Sequence, residues 1–284
     1  MARGKTINIY LPDGNPKGIK ICEIPNSIIK AIVIPRNMIK EVLEFENLEK
    51  VGVYFLFSEK DESGQFKTYI GEAEEIKKRL KQHNNSEKEY WNYMVCFVSG
   101  KDNLNKAHVK FLESYCHEEA KNADRTELMN GCSPTRSTLS PSERDFSLQF
   151  FDEMSLILGT LGYPIFSKIK KAESQEEIFY CKKKEAKATG NLTEDGFVVY
   201  AGSTANLEER PSITKWVKSK RTELIEKNIL VKKSETLYEF AKDFVFSSPS
   251  IASAVVVGGN ANGWLEWKNL NGTTLDELKR QNAS

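Results

Sequence analysis

The 284-residue chain has no excess of charge of either sign: 41 Lys and Arg stand against 40 Asp and Glu, for a formal net charge of +1. Nucleic-acid binders commonly carry a surplus of basic residues, so any phosphate-binding surface must be local, and a long unspecific electrostatic footprint is excluded. Paired cysteines are also lacking. Cys22, Cys96, Cys116, Cys132 and Cys181 are scattered, odd in number and without CxxC spacing, which speaks against a disulfide framework or a zinc ribbon. Cys96 and Cys116 lie in apolar stretches, where a thiol serves as a small buried hydrophobe. The N-terminus MARGKTINIYLPDG has no apolar core for a signal peptide, and no stretch is as long as a membrane span. No internal repeat and no long coiled coil is visible. A soluble, cytoplasmic protein without membrane association is expected.

What is present suffices for real cores: 39% of residues are apolar, and the length suits two modest domains. Residues 5–11 alternate polar and apolar, Asp13-Gly14 marks a turn, and Ile19–Ile24 and Ala31–Ile34 read as short strands. Residues 1–48 thus form a β-rich N-terminal extension, too small to stand alone and expected to pack on the adjoining domain. In residues 49–131, Val51–Phe57 and Lys67–Ile70 read as a hairpin around a polar loop with Ser63-Gly64, ended by Gly71. A helix over Glu74–Asn84 comes next, then a strand over Tyr90–Val98 that is apolar on both faces. A second helix spans Asn103–Ala120, with Asn103 as N-cap. Residues 132–195 read as a linker carrying a long helix, 141–161. Its start is marked by Ser140, Pro141 and Glu143, and its apolar face by Phe146, Phe150, Met154, Ile157 and Leu161. Basic Lys182–Gly190 is a solvated tether or a hairpin tip. Residues 196–284 form a C-terminal domain. Its expected elements are a strand at Phe197–Tyr200, a helix at Thr214–Lys227 and a helix opened by Ser248-Pro249 and closed by Gly258-Gly259. A strand at Trp264–Lys268 and a turn at Asn271-Gly272 complete it. The expected class is α+β: a small antiparallel sheet flanked by helices, with the β-rich extension and a second small α+β domain.

The chemistry-bearing residues are Gly52-Val53-Tyr54, Tyr69-Ile70-Gly71, Arg79, His83, Glu113 and Asn130. An α-helix turns about 100° per residue, so Ile76, Arg79, Leu80 and His83 share a face while Lys77, Lys78 and Lys81 point away. An Arg and a His on a face packed against a sheet are costly without a purpose, and a phosphate is their natural target. The bland readings are a snorkelling Arg and a satisfied core His. Tyr54 and Tyr69 by pattern alone are core aromatics. Glu113, at the border of the face formed by Leu104, Ala107, His108, Phe111 and Tyr115, is otherwise a solvated Glu, and Asn130 the first half of an Asn-Gly turn.

Taken in order, these residues resemble the GIY-YIG endonuclease superfamily, with GVY in place of GIY. Repair, homing and some restriction endonucleases share the pattern. The resemblance implies that Tyr54 positions or deprotonates the attacking water, with Tyr69 or His83 assisting. It further implies that Arg79 holds the scissile phosphate, Glu113 is the single protein ligand of a divalent metal, and Asn130 supports the site by hydrogen bonds. Gly71 and Lys67 join the substrate-binding residues. A nearby cation lowers a phenol's pKa, so Arg79, and secondarily Lys67, are expected to make a tyrosine a partial general base. One carboxylate plus waters and substrate oxygens suits Mg²⁺, or Mn²⁺, which would stabilise charge on the phosphate and the leaving oxygen. The implied reaction is metal-assisted phosphodiester hydrolysis of nucleic acid, DNA above all, in repair or in defence against foreign DNA.

The segment GFVVYAGSTANLEERPS…FVFSSPSIASAVVVGGNANGWLEWKN resembles an uncharacterised domain found behind GIY-YIG domains in bacterial proteins. The block 5–35 resembles the N-terminal extension of the same proteins. Free N–H groups at the helix start at Ser248 could hold a phosphate, and Phe246, Trp264 and Trp267 could stack on bases or simply form a core. Two classes of function remain: an active endonuclease, or a catalytically inactive protein that keeps the fold to bind nucleic acid or a protein. Retention of Tyr54, Tyr69, Arg79, His83 and Glu113 together favours the first. The near-zero net charge leans toward the second.

Overall fold

The structure, a computed structural model, describes residues 4–60, 66–85, 90–211 and 213–279. The described residues form two compact units, one up to Lys168 and one from Ile169 onward. Both mix helices with largely antiparallel sheets, so the class is α+β.

The first unit contains β1 (Asn8–Tyr10), β2 (Lys20–Glu23), β3 (Ile29–Pro35), α1 (Ile39–Val42), β4 (Gly52–Phe57), β5 (Lys67–Ala73), α2 (Ile76–Asn84), β6 (Tyr93–Ser99), α3 (Lys106–Ala123), β7 (Glu127–Leu128) and α4 (Pro141–Thr160). Its strands make one sheet in the order β1-β2-β3-β6-β4-β5-β7, antiparallel throughout except for β5 with β7. Strand alternation sends Val53, Phe55, Phe57, Val95 and Phe97 to the face covered by α3 and α4. Tyr54, Leu56, Met94, Cys96 and Val98 go to the face covered by α1 and α2. β6 is therefore apolar on both sides, as its sequence indicates.

Residues 1–48 pack on the adjoining domain through one shared sheet: β3 pairs with β6 from Ile29↔Ser99 to Pro35↔Tyr93, and Cys22, Ile24, Ala31 and Val33 lie in the shared core. Burial of Ile24 and of Val33 contributes roughly 1.5–3 kcal/mol each. β5 does not end at Gly71 but runs on to Ala73, while the Ser63-Gly64 loop lies outside the described residues. The N-cap of α3 is Asn105, not Asn103. Asn105 Oδ1 accepts from the His108 N–H at 3.0 Å, and the Asn105 N–H donates to His108 Nδ1 at 3.3 Å. His108 thus takes the place that Glu or Gln usually fills in a capping box.

α4 begins as its sequence indicates, with Ser140 and Glu143 bonded reciprocally and Pro141 in the first turn, a cap worth about 1 kcal/mol. It is nevertheless no linker helix. Phe150, Met154 and Ile157 are buried in the first unit's core, and Ser27 Oγ donates to Glu153 from the β2–β3 turn.

The second unit contains β8 (Phe179–Lys183), β9 (Ala186–Thr193), β10 (Gly196–Val199), β11 (Thr204–Asn206), α5 (Lys215–Glu226), β12 (Leu230–Lys232), β13 (Leu237–Phe240), β14 (Phe244–Phe246), α6 (Pro249–Val257), α7 (Gly263–Glu266) and α8 (Leu275–Lys279). Its sheets run β14-β10-β9-β8 and β11-β13-β12, around Phe179, Phe197, Phe240, Phe246 and Trp267. Lys182–Gly190 is a strand hairpin, turning at Lys184 in the left-handed region at φ 53°. The domain therefore starts well before residue 196, and the stretch 132–195 is divided between two folded units. Trp264–Lys268 opens as the short helix α7 and not as a strand. Among the described residues no helix is long and apolar enough to cross a membrane.

Candidate active site

The centre of the site derives from the β4–β5 register, which sets Tyr54 opposite Gly71 and Leu56 opposite Tyr69. Tyr54 is fully buried and its ring lies directly on the Gly71 backbone. A Cβ at Gly71 would come within 2.4 Å of both Tyr54 Cζ and Oη. The Gly71 of the second motif is thus a floor for the tyrosine of the first. It is covered by protein, so the expectation that it touches substrate is corrected. Gly71→Ala should push the Tyr54 phenol off its seat, at a cost of about 1–3 kcal/mol for overpacking. A thermal melt unchanged from wild type would contradict this.

Above Gly71, three rings form a triangle: Tyr54–His83 at 5.3 Å, Tyr69–His83 at 5.5 Å and Tyr54–Tyr69 at 6.1 Å between centroids. Tyr54 Oη and His83 Nε2 are hydrogen-bonded at 2.9 Å. The Tyr54 and Tyr69 hydroxyls share a further hydrogen bond. His83 is 8% exposed, whereas Tyr69 is part-buried, so Tyr69 is the phenol that meets solvent. The expected lowering of the Tyr54 pKa is not what the structure gives. Burial holds the Tyr54 phenol well above its ordinary value, neighbouring Tyr69 adds to this, and Arg79 opposes it without prevailing. Desolvation of the phenolate outweighs one surface cation.

Arg79 is likewise corrected. It is exposed, not packed against the sheet, and its Nη1 donates to Gln82 Oε1 at 2.9 Å. It stands within electrostatic reach of both Tyr54 and Glu113, on the wall of an open cleft of about 480 Å³ that Glu72, Glu75 and Lys78 also line.

Glu113 reaches the same place from α3. Its carboxylate accepts a hydrogen bond from the Glu72 backbone N–H on β5. Burial first, and then the neighbouring Glu72 charge, push its pKa up to about 7, against the opposing pull of Arg79, that backbone bond and Lys110. A part-buried carboxylate that is costly to ionise beside another carboxylate is a fitting seat for a divalent cation. Among the described residues no three His, Cys, Asp or Glu side chains cluster as a metal-binding group.

Asn130 is not part of a free Asn-Gly turn. β7 pairs with the start of β5, the Met129 N–H donates to the Thr68 carbonyl at 2.8 Å, and the Asn130 side chain continues the ladder. Its Oδ1 accepts from the Ile70 N–H at 3.1 Å and its Nδ2 donates to the Ile70 carbonyl at 2.8 Å. Asn130 and Glu113 thus occupy successive backbone groups along one edge of β5, at Ile70 and Glu72. Lys67 is not brought to this cluster. It lies on the surface four residues before Gly71, ion-paired with Glu127 at 3.8 Å.

Two residues of the second unit were also expected to bind substrate. Ser248 accepts from the Ile251 N–H at 3.3 Å, capping its own helix. The helix start is closed further by Gly263, where a Cβ would come within 2.1 Å of Pro249, and by Trp267 Nε1, which donates to the Pro249 carbonyl at 3.0 Å. The open phosphate site expected there is therefore corrected. Trp267 and Phe246 are core residues. Trp264 is part-buried against that core.

Sequence reasoning missed Glu72, which lends its N–H to Glu113, and Gln82, which holds Arg79. It also missed Tyr90, which packs with Tyr69 on the same hydrophobic cluster. Nothing in the spacing of these three marks them out. No curated protein and no solved structure matches the chain. Residues 50–128 match the family described as the GIY-YIG catalytic domain, and residues 179–279 match a domain of unknown function, DUF4357. The motif tyrosines, Arg79 and Glu113 all fall inside the first match, and the chain carries a GIY-YIG catalytic domain followed by a C-terminal DUF4357 domain.

Proposed function

We propose that the protein is a metal-dependent endonuclease that hydrolyses phosphodiester bonds in DNA, in repair or in defence. The observation that carries this reading is the convergence on one strand edge of three unlike groups: the Tyr69–Tyr54–His83 chain, the Arg79 guanidinium and the Glu113 carboxylate. Phosphoryl transfer needs chiefly positioning and charge stabilisation, and these groups supply a proton path, a fork for phosphate oxygens and a cation seat.

The raised pKa of Tyr54 assigns it a different role from that of a free phenolate. Tyr69, the solvent-facing phenol, takes a proton from the attacking water as its own passes to Tyr54 and that of Tyr54 passes to His83 Nε2. The water oxygen bonds to phosphorus, the bond from phosphorus to the leaving oxygen breaks, and that oxygen is protonated from solvent. Arg79 exchanges Gln82 for the non-bridging oxygens of the phosphate. Glu113 would hold Mg²⁺ or Mn²⁺, which supplies neutralisation of developing negative charge. The second domain is proposed to tune which nucleic acid is bound, with Trp264 as its stacking residue.

The test is incubation of the full chain with single-stranded, duplex and branched DNA and with RNA, in Mg²⁺, in Mn²⁺ and in chelator. Cation-dependent strand cleavage is expected. Binding without cleavage under every condition would favour the inactive reading.

A further inference from the structure

Among the described residues, the Tyr90 hydroxyl is buried and has no hydrogen-bond partner. Buried side-chain hydroxyls are nearly always partnered, and one that is not calls for an explanation. Tyr90 precedes β6, whose residue Met94 lies opposite Leu56, which in turn lies opposite Tyr69. Tyr90 and Tyr69 pack against the same cluster beneath α2, and the two phenols are near enough for the charge of one to oppose ionisation of the other.

We infer that Tyr90 is a positioning residue of the proposed phosphodiester site, its hydroxyl held in reserve to donate a hydrogen bond to Tyr69 Oη when that oxygen gives up its proton. The inference rests on the proton path proposed above and extends it by one member. A phenol oxygen that accepts a proton from water while passing its own inward carries partial negative charge during the transfer. A donor aimed at it strengthens at that moment, and only such interactions accelerate the chemical step. In the resting protein the Tyr69 hydroxyl is hydrogen-bonded with Tyr54, and the Tyr90 donor is unused. Burial, and the neighbouring Tyr69 charge, push the Tyr90 pKa up to about 12. Tyr90 therefore keeps its proton, and so its donor, at neutral pH. No new bond is required in the free protein.

The test is Tyr90→Phe in the full chain, with wild type and Tyr69→Phe alongside. Tyr90→Phe deletes an oxygen that holds nothing together at rest, so the melting temperature should stay level or rise. The kcat for DNA cleavage should fall about tenfold at neutral pH with KM unchanged, the worth of one hydrogen bond to a developing charge. The basic limb of the pH–rate profile should move to higher pH. In Tyr69→Phe, a further Tyr90→Phe change should have no additional effect, because the path is already cut. An unaltered kcat and pH profile, or a loss of activity that merely tracks a lower melting temperature, would overturn the inference. If wild type cleaves nothing, the proposed function fails, and the Tyr90–Tyr69 link is still read by ultraviolet phenolate titration. Beyond the loss of one titrating phenol, Tyr90→Phe should then shift a second phenol upward by about one pH unit. Loss of a single phenol with no second shift would overturn it.

Discussion

Glu113→Gln should abolish cation-dependent cleavage and at the same time make the protein more stable at pH 8. The loss of cleavage stems from the proposed cation seat, since an amide cannot offer a divalent ion the charge of a carboxylate. The gain in stability stems from the raised pKa. In the folded protein the Glu113 carboxyl titrates at about 7 against an ordinary value of 4.5. Between those two values the folded state holds a proton that the unfolded chain has released, so stability falls as pH rises through that window. The penalty is fully present above pH 7 and absent below pH 4.5. Glutamine carries no such charge, and the variant's advantage in melting temperature should therefore grow from nothing at acid pH to a maximum near pH 8. Mg²⁺ should close the gap by raising the wild-type melting temperature, with no effect on the variant. Equal melting curves for the two proteins at pH 5 and pH 8, with and without Mg²⁺, would remove Glu113 from the cation seat. Intact cleavage by the variant would do the same by another route.

Arg79→Ala should slow cleavage by about a hundredfold or more, the usual consequence of removing a charge partner aimed at a transition state. Because Arg79 is exposed and bonded only to Gln82 among the interactions resolved around its guanidinium, its removal should leave the melting temperature within about 1–2 °C of wild type. Arg79→Lys should not restore the rate, since an ammonium is a point charge and cannot offer two parallel donors to two phosphate oxygens. Single-turnover rates for the three proteins decide it. Recovery in the lysine variant would mean that Arg79 acts by general attraction.

Tyr54 and Tyr69 were legible as site residues only through the resemblance of their motifs, because by pattern alone they are core aromatics. The two-residue period of β4 and β5 puts them on one face with Gly71, and the helix that begins just after β5 brings His83 over them. Helical periodicity misjudged Arg79. Its position is about 60° round the helix from Ile76, at the margin of the apolar face, and a long side chain there can turn outward to water. The raised pKa of Tyr54 was not legible, because desolvation depends on what covers the ring, and the cover comes from residues far away in the chain. Ser248 shows the same limit. Its capping signal was read correctly, but the closure by Gly263 and Trp267 comes from chain beyond the helix. In α5, the amphipathic spacing points Val217, Leu224 and Ile225 inward; Val217 and Leu224 are buried and Ile225 is part-buried against the same core, yet Arg221 is also buried. Its guanidinium donates to the carbonyls of Val255 and Asn206, partners that no local pattern reveals. The β8–β9 hairpin was one of two readings of Lys182–Gly190, and the outward Lys182 and Lys187, opposite one another, are what gave the stretch the look of a solvated tether as well.

The seven-residue pairing of β3 with β6 bears on how such a protein can be taken apart. The stretch that matches the catalytic family begins at residue 50, yet β6, in the middle of the sheet, is flanked on one side by a strand that precedes that point. Grafting residues 50–128 alone into another protein would expose a long apolar strand edge, an invitation to stick to copies of itself. It would also leave behind Asn130, which borders the proposed site. The portable cassette is the chain up to Lys168. A recombination event that shuffles this catalytic-family domain between partners intact must carry its first strands and α4 along with it.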